Sequence, residues 1–582
     1  MLKTSNVTYT KNEAIGWTTP NKWDMLILCI VIGIISLLIY TAKQMAVPYD
    51  IGKPIPISLD PSNLPIYAIR TILRMFIALL GALIFTFIFG TWAAKNKRAE
   101  RIIIPVIDIM QSLPVLSFIA ITVPIFIVLF KGNMLGPECA SIFAIFTSQV
   151  WNITLSFYQS ISTIPKDLRE VAKIFKLSTW RAFWRLEVPY AMPGLLWNMM
   201  MSMSASWFFV TVSEAISISN QEIMLPGIGS YIALAIAQAN KLSIYYAVIT
   251  MFTVIIVYDQ LLFRPLIYWS EKFKFEQLSD NKLSRSWVVS LFQRTRLLRQ
   301  SSRLISAIFD AMVNLSIFNS PITYQSPPKT KRISRKVLII ISKVIIYAAI
   351  FAVLVTLGFF IKLNVTFHDI SKVLWLGLLT GIRVMSLIAL CSLIWVPIGV
   401  WIGFKPKIAK IIQPIIQFLA AFPANILFPI ITFLILKYQL NINIWAAPLM
   451  VLGTQWYILF NVIAGASTIP QELRLVTKNF NVKGWLKWKR LILPGIFPFF
   501  LTGAITAAGG AWNASIVAEV IRWGSTKLYA QGLGSYIDYY SKLGVFPNIA
   551  LGTVVMGIYV LIINRLVWQP LYNIAIEKFK AD

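Results

Sequence analysis

The chain has 582 residues, 57% of them hydrophobic and only 13% charged, and a formal net charge of +30. Soluble domains carry about 25% charged residues, so this composition, with a mean hydropathy of +0.72, excludes an ordinary soluble protein. The cations sit in short segments between apolar runs, the pattern of cytoplasmic loops, which sets nucleic acid aside as a partner. Three scattered cysteines (Cys29, Cys139, Cys391) and one histidine (His368) offer no metal site of His/Cys type, and no cofactor is expected.

A helix needs about 20 apolar residues to cross about 30 Å of hydrocarbon, and its backbone must satisfy its own hydrogen bonds there. The first candidate, 24–43, follows a long mixed leader without a short basic start, and reads as a retained span, not a signal peptide. The next are 66–93, 102–130, 140–162, 188–217 and 232–268. A polar, basic stretch at 271–336 separates these from 337–362, 373–402, 410–435, 442–466, 492–520 and 545–572. The expectation is an all-α polytopic membrane protein of about 12 transmembrane helices. Its first domain is 1–276 (core about 66–270), its linker 277–336, and its second domain 337–582 (core about 373–575). The linker carries an amphipathic middle suited to anionic lipid and a loose, Pro- and Ser-containing end. It reads as lipid contact plus flexible tether.

The chain repeats itself. STIPKDLREVAKIFKLSTWRAFWRLEVPYAMP begins at Ser162 and STIPQELRLVTKNFNVKGWLKWKRLILPGIFP at Ser467, an offset of 305 (467 − 162). The same offset pairs Trp207 with Trp512, Glu214 with Glu519, and Gly227-Ile228-Gly229-Ser230-Tyr231-Ile232 with Gly532-Leu533-Gly534-Ser535-Tyr536-Ile537. Upstream the offset is 309, matching Arg74 to Arg383, Gly90 to Gly399 and Pro114 to Pro423. Two six-helix repeats with an even span count are parallel. The basic loops around Lys95–Arg101 and Lys405–Lys410 then put both termini, the linker and both repeated polar segments in the cytoplasm. Parallel halves leave a natural pathway between them.

Within the repeated segment, Leu168, Val171, Ala172 and Phe175 recur at helical spacing, with Lys166, Arg169, Glu170, Lys173 and Lys176 on other faces. Ser178-Thr179 breaks this helix, and a second amphipathic piece runs from Trp180 to Leu186, before Pro189. One reading is an interfacial helix on lipid. The other is a docking helix for a cytosolic partner, which the duplication favours because two such helices suit a two-fold partner.

At these residues the chain resembles the inner-membrane permeases of ABC importers. Their pattern is Glu-Ala-Ala, three residues, Gly, then about a dozen residues to Leu-Pro. Here it stands as Glu170-Val171-Ala172, Lys176 and Val188-Pro189, and again as Leu475-Val476-Thr477, Asn481 and Leu493-Pro494. The repeats around Gln111-Ser112-Leu113-Pro114, Trp207–Glu214 and Gly227-Ile228-Gly229 look like the nitrate/sulfonate/taurine branch. The resemblance covers nearly all of both halves. It implies the type I importer permease fold, a multi-pass inner-membrane location, and no enzymatic activity in this chain. It also implies two cytosolic ATPase subunits, a periplasmic or lipid-anchored solute-binding protein, and a small (oxy)anion such as nitrate, sulfonate/taurine or bicarbonate. ATPase coupling then falls to Arg169, Glu170, Val171, Ala172, Lys176 and Pro189, and to Glu472, Leu475, Val476, Thr477, Asn481 and Pro494. The usual glycine is Lys176 in one copy and Asn481 in the other; the usual glutamate is Glu170 in one and Leu475 in the other, with Glu472 one turn earlier. The two docking sites are therefore expected to be unequal. The chain lacks the phosphate-cradling Gly-x4-Gly-Lys-Ser/Thr motif.

Candidate pathway residues are Gln111, Ser112, Trp207, Glu214, Gln417, Trp512, Asn513 and Glu519. For Glu214 and Glu519 the alternative is a structural carboxylate held by backbone amides or a neighbouring arginine. Arg74 and Arg383 read either as attractors of an anion or as side chains snorkelling to the interface. Thr147, Gln149, Asn152, Thr454 and Gln455 read first as interhelical hydrogen-bonding groups. The Gly-x-Gly pairs read as tight turns opposite the coupling segments. A secondary transporter of two parallel six-span halves, an ABC permease for a non-anionic solute, and a channel or scaffold are the competing classes.

Overall fold

A computed structural model describes residues 22–49, 55–112, 115–218, 221–270 and 365–579, with a few linker positions at 295, 306–307 and 310–314. In the first half, α1 (Lys22–Met45) and α2 (Pro61–Lys95) are followed by α3 (Lys97–Ser112), α4 (Val115–Leu129) and α5 (Leu135–Ser162). Then come α6 (Lys166–Ile174), α7 (Thr179–Ser213), a hairpin β1–β2 (Ala215–Ile218, Gln221–Met224), α8 (Ile228–Ala237) and α9 (Lys241–Ser270). The second half repeats the order. It runs α10 (Phe367–Gly403), α11 (Pro406–Ala421), α12 (Phe428–Lys437), α13 (Ile442–Val451), α14 (Gln455–Thr468) and α15 (Gln471–Asn479). It closes with α16 (Gly484–Ala518), hairpin β3–β4 (Val520–Trp523, Thr526–Tyr529), α17 (Leu533–Leu543) and α18 (Phe546–Ala575).

The fold is all-α apart from these two small antiparallel hairpins, which pair Ala215 with Met224 and Val520 with Tyr529 at equivalent positions. Among the described residues, seven helices are long and apolar enough to cross a membrane, or nine if each bent pair counts as one span. The expected span 337–362 and most of the linker lie outside the described residues.

Three expected spans are interrupted. The run 410–435 bends by 69° between α11 and α12, and 442–466 by 42° between α13 and α14; the run 102–130 contains α3 and α4, and residues 113–114 between them lie outside the described residues. Phe422, just before Pro423, is extended (ψ 123°), because the proline ring disfavours helical backbone in the residue before it. The run 232–268 becomes the short α8 and a separate α9, joined through Ala239 in the left-handed region (φ 51°).

The reverse correction applies to the spans expected at 188–217 and 492–520. Pro189 and Pro494 do not start them: α7 and α16 run unbroken from Thr179 and Gly484, 35 residues each. Each absorbs its proline in a π turn, Phe183–Glu187 and Trp488–Ile492, since a proline lacks the N–H and its ring displaces the carbonyl one turn back. At 1.5 Å per residue such a helix is about 52 Å long. It therefore carries its amphipathic first turns well beyond about 30 Å of hydrocarbon and separates the α6/α15 end from the hairpin end.

The halves interlock. Val115, Leu116, Ile119 and Val123 of α4 belong to the core of the second half, while Ala421 and Ile426 belong to that of the first. Within each half, the fourth and fifth long helices pack by different means. In the first, α5 and α7 share a polar seam: Ser141–Ser213 (2.8 Å), Ser148–Ser206 (2.8 Å) and Asn152 to Ser202 (3.1 Å). In the second, Gly503 and Gly510 let α16 approach Tyr457 and Thr454 at distances any Cβ would obstruct. Both are known ways to join helices in lipid.

Candidate functional site

Two equivalent protrusions stand at the start of the long helices. Each consists of α6 or α15, a left-handed turn, and the first turns of α7 or α16. The turn residue is Lys176 (φ 48°) in one and Asn481 (φ 53°) in the other. Its N–H meets the carbonyl of Lys173 or Lys478, and the next N–H, of Leu177 or Val482, returns to Ala172 or Thr477. This closes the helix end. Arg169 and Arg474 fix each protrusion to the helix before it, donating to Ile161 O (2.8 Å) and Ala466 O (2.7 Å), carbonyls in the last turn of that helix. Burial at that junction lowers the Arg474 pKa from its usual value. Glu170, Val171, Glu472, Leu475 and Val476 are exposed, Ala172 and Thr477 half-buried. The tips are apolar: Phe175 is 72% and Phe480 78% exposed. Each tip thus presents an exposed aromatic ring on a cation-rich helix. In the sequence Phe175 read as part of the apolar stripe with Leu168, Val171 and Ala172, and Phe480 as its counterpart in the second copy (offset 305).

The protrusions differ in their surroundings. Trp180 donates to Met312 O of the linker (3.3 Å), and Arg185 faces Asp310 (3.9 Å). The described linker thus contacts the first protrusion, where lipid contact and a free tether were expected. The equivalent Trp485 is exposed.

At the opposite end of α7 and α16, Glu214 and Glu519 are fully buried carboxylates. Glu214 accepts from Thr71 (2.7 Å), Arg74 (2.6 Å) and the Gly229 amide (2.7 Å). Glu519 accepts from Thr380 (2.8 Å), Arg383 (2.8 Å), Gly534 N (2.7 Å) and Ser535 N (3.2 Å). Thr71 and Thr380 in turn accept from the amides of Ile228 and Leu533. Each carboxylate clamps the hairpin and short helix onto the second long helix of its half. The Gly-x-Gly pair is required by space, since a Cβ on Gly227 or Gly532 would strike the carboxylate and one on Gly229 or Gly534 the α7 or α16 backbone. Arg74 neither snorkels nor lies open: it is fully buried.

The locks are not identical. Arg74 has a second carboxylate, Glu138 (2.5 and 2.8 Å), with Arg70 nearby at 3.9 Å. At the equivalent positions stand Asn443 and Leu379. There Arg383 donates to the Asn443 and Gln531 carbonyls (3.1 and 2.7 Å), and Asn443 Oδ1 accepts from Gln531 N (2.8 Å). Glu138 falls between the expected spans 102–130 and 140–162, so run length gave no signal for it; the helix in fact begins at Leu135 and carries it in its first turn.

Between the halves, the third spans meet the opposite long helix. Asn513 of α16 accepts from Val115 N at the start of α4 (2.6 Å), and Asn425 pairs with Thr211 of α7 (2.8 Å). Gln417 lies against Met200 of α7, Gln111 is exposed on α3, and Ser112 is the last described residue of that helix. Trp207 and Trp512, by contrast, are buried inside their own halves, Trp207 edge-on to Tyr258 (5.7 Å) and Trp512 beneath Gly381. Thr147 bonds within its helix and Gln149 reaches Met203, while Gln455 accepts from Trp395 (3.0 Å).

A family model described as "binding-protein-dependent transport system inner membrane component" matches residues 86–263 and again 395–568. The two matches start 309 residues apart (395 − 86) and end 305 apart (568 − 263), the offsets of the internal repeat. The chain is 28% identical over 193 residues to the bicarbonate transport system permease protein CmpB of Synechocystis sp., across 33% of this chain and 65% of that protein. It is 27% identical over 163 residues to the glycine betaine/proline betaine permease protein ProW of Escherichia coli (28% of this chain, 44% of that protein). It is 21% identical over 152 residues to the nitrate import permease protein NrtB of Synechocystis sp. (26% and 52%). The alignments span less than two thirds of each of these relatives.

Proposed function

Since the chain belongs to the family of binding-protein-dependent transport system inner membrane components, present here in two copies, we propose that it forms both membrane halves of an ATP-driven importer. The observation that carries this reading is the pair of matched protrusions, each with a left-handed turn at the position of the family's glycine and an exposed phenylalanine at its tip. Two cytosolic ATPase subunits engage them, and closure of the ATPases moves α7 and α16. The arginines Arg169 and Arg474 are positioning residues that keep each protrusion rigid, so displacement passes to the long helices. Both protrusions, the termini and the linker face the cytoplasm of the inner membrane; a periplasmic or lipid-anchored solute-binding protein delivers the solute at the hairpin end.

The solute passes between the halves, along Gln417, Asn513 and the third span of the second half, which is broken at Pro423. Broken helices expose backbone dipoles where an anion can be held, which supports an oxyanion, as do the names of the bicarbonate and nitrate relatives. The betaine relative keeps a zwitterionic solute as the second reading. Uptake of labelled bicarbonate, nitrate, taurine and glycine betaine by a deletion strain, with and without the gene restored, tests this. Restored uptake of one of the three anions is expected. Restored uptake of betaine alone would replace the anion by a zwitterion, and uptake independent of ATP would remove the importer reading.

A further inference from the structure

The hairpin ends of the two halves carry different surfaces. On the second, Arg522 and Lys527 of β3–β4 and Lys542 of α17 surround a single carboxylate, Asp538. Arg522 lies 3.3 Å from Asp538, and Lys542 is bonded to it. Lys527 at the hairpin tip is exposed, and no salt bridge involving it occurs among the described residues. Beside these cations stand Tyr529 and Tyr539, 39% and 48% exposed, their rings edge to face at 6.2 Å. Lys542 sits 5.5 Å from the Tyr529 ring. These contacts hold the rings and the cation in one arrangement before anything binds. At the equivalent first-half positions (offset 305) the residues are Ser217, Glu222, Ala237, Met224 and Leu234. The repeat has therefore kept the hairpin and changed its surface.

Rigid exposed tyrosines ringed by cations are the composition of a protein-binding hot spot, and the surplus of cations selects a partner of opposite charge. The surface also joins the lock beneath it. Gly534 and Ser535, at the start of α17, bond Glu519, and Gln531, just after β4, accepts from Arg383 of α10. A load on α17 reaches α10 through two hydrogen-bonded contacts. We propose that this basic, tyrosine-bearing face of β3–β4 and α17 is the docking surface for an acidic lobe of the solute-binding protein, and that the first half, lacking these side chains, receives the other lobe without charge pairing. The delivered protein is thereby seated in one of its two possible orientations. The proposal rests on the importer reading of the preceding section.

The test uses the full chain with its ATPase subunits in nanodiscs of zwitterionic lipid, titrated with the purified, solute-loaded binding protein of the same transport system. Lys527→Glu and Tyr539→Ala should each raise Kd about tenfold, and added salt should weaken binding of the unaltered chain more than that of Lys527→Glu. Both positions are exposed, so thermal midpoints should not move; Lys527→Gln, expected to lose less than Lys527→Glu, serves if one does. Unchanged Kd in Lys527→Glu and Tyr539→Ala would overturn the proposal. So would an effect of Lys527→Glu confined to affinity for vesicles with 20% anionic lipid, which would make the face a headgroup contact. If the unaltered chain bound no solute-binding protein while still transporting, the importer reading itself would fall.

Discussion

Lys176 and Asn481 occupy the same left-handed turn (φ 48° and 53°) with side chains of different tolerance for it. Asparagine visits this region readily, whereas a lysine pays about 1 kcal/mol for the crowding of its Cβ. Lys176→Gly should therefore stabilise the purified protein by up to about 1 kcal/mol, while Asn481→Gly should leave the thermal midpoint nearly unchanged; equal shifts would show that the turn is not strained at Lys176. Glu170 and Leu475 carry the other difference between the protrusions. Glu170→Ala should reduce coupled transport more than Leu475→Ala in an ATP-driven uptake assay, and equal tolerance would remove the asymmetry. Lys176, Asn481, Glu170 and Leu475 were all legible in the sequence because a turn and its flanking helix are local.

At the scale of elements, the two halves clamp the same hairpin with different charge arrangements. The first uses Arg70, Arg74, Glu138 and Glu214; the second keeps one arginine and one glutamate, with Leu379 and Asn443 at the other two positions. The differences are balanced, one cation against one anion. Removing one member of a buried pair strands its partner and costs about 3–5 kcal/mol, whereas removing both together is often tolerated. Glu138→Asn alone should strongly destabilise the protein, and Arg70→Leu with Glu138→Asn should recover most of that loss, read as thermal midpoint and yield in detergent. A double variant as unstable as the single would show that Arg70 does not belong to the cluster. Gly229→Val and Gly534→Val test the same clamp sterically. Each should lower stability and transport together, because the added side chain meets helix backbone.

For the whole molecule, the third-span segments pack across the halves and the protrusions are paired. Under the proposed importer function the tips bear the load of the ATPases. Phe175→Ala and Phe480→Ala should each cut ATP-driven uptake about tenfold, equivalent to about 1.4 kcal/mol for a buried aromatic anchor, without changing membrane insertion. Uptake unaffected by both would mean that the tips do not bear on the ATPases. The linker contact at Trp180 belongs only to the first tip, so the two effects need not be equal.

Apolar run length, the 305 and 309 offsets and the repeated turn were enough to give an all-helical, duplicated membrane chain with two repeated polar helix–turn segments, because each depends on residues close in sequence or on simple identity between copies. The interruption at Pro423 was written in proline chemistry, whereas the left-handed turn at Ala239 carries no Gly or Pro to mark it; run length alone merged both into single spans. The pairing of Arg74 with Glu138 and Glu214, 64 and 140 residues away, was beyond such reading. A buried charge must find its partner wherever the closed fold brings one, and no local period encodes that choice. The same holds for α4 packing in the opposite half, where the interior is decided by which helices meet once both repeats have folded together.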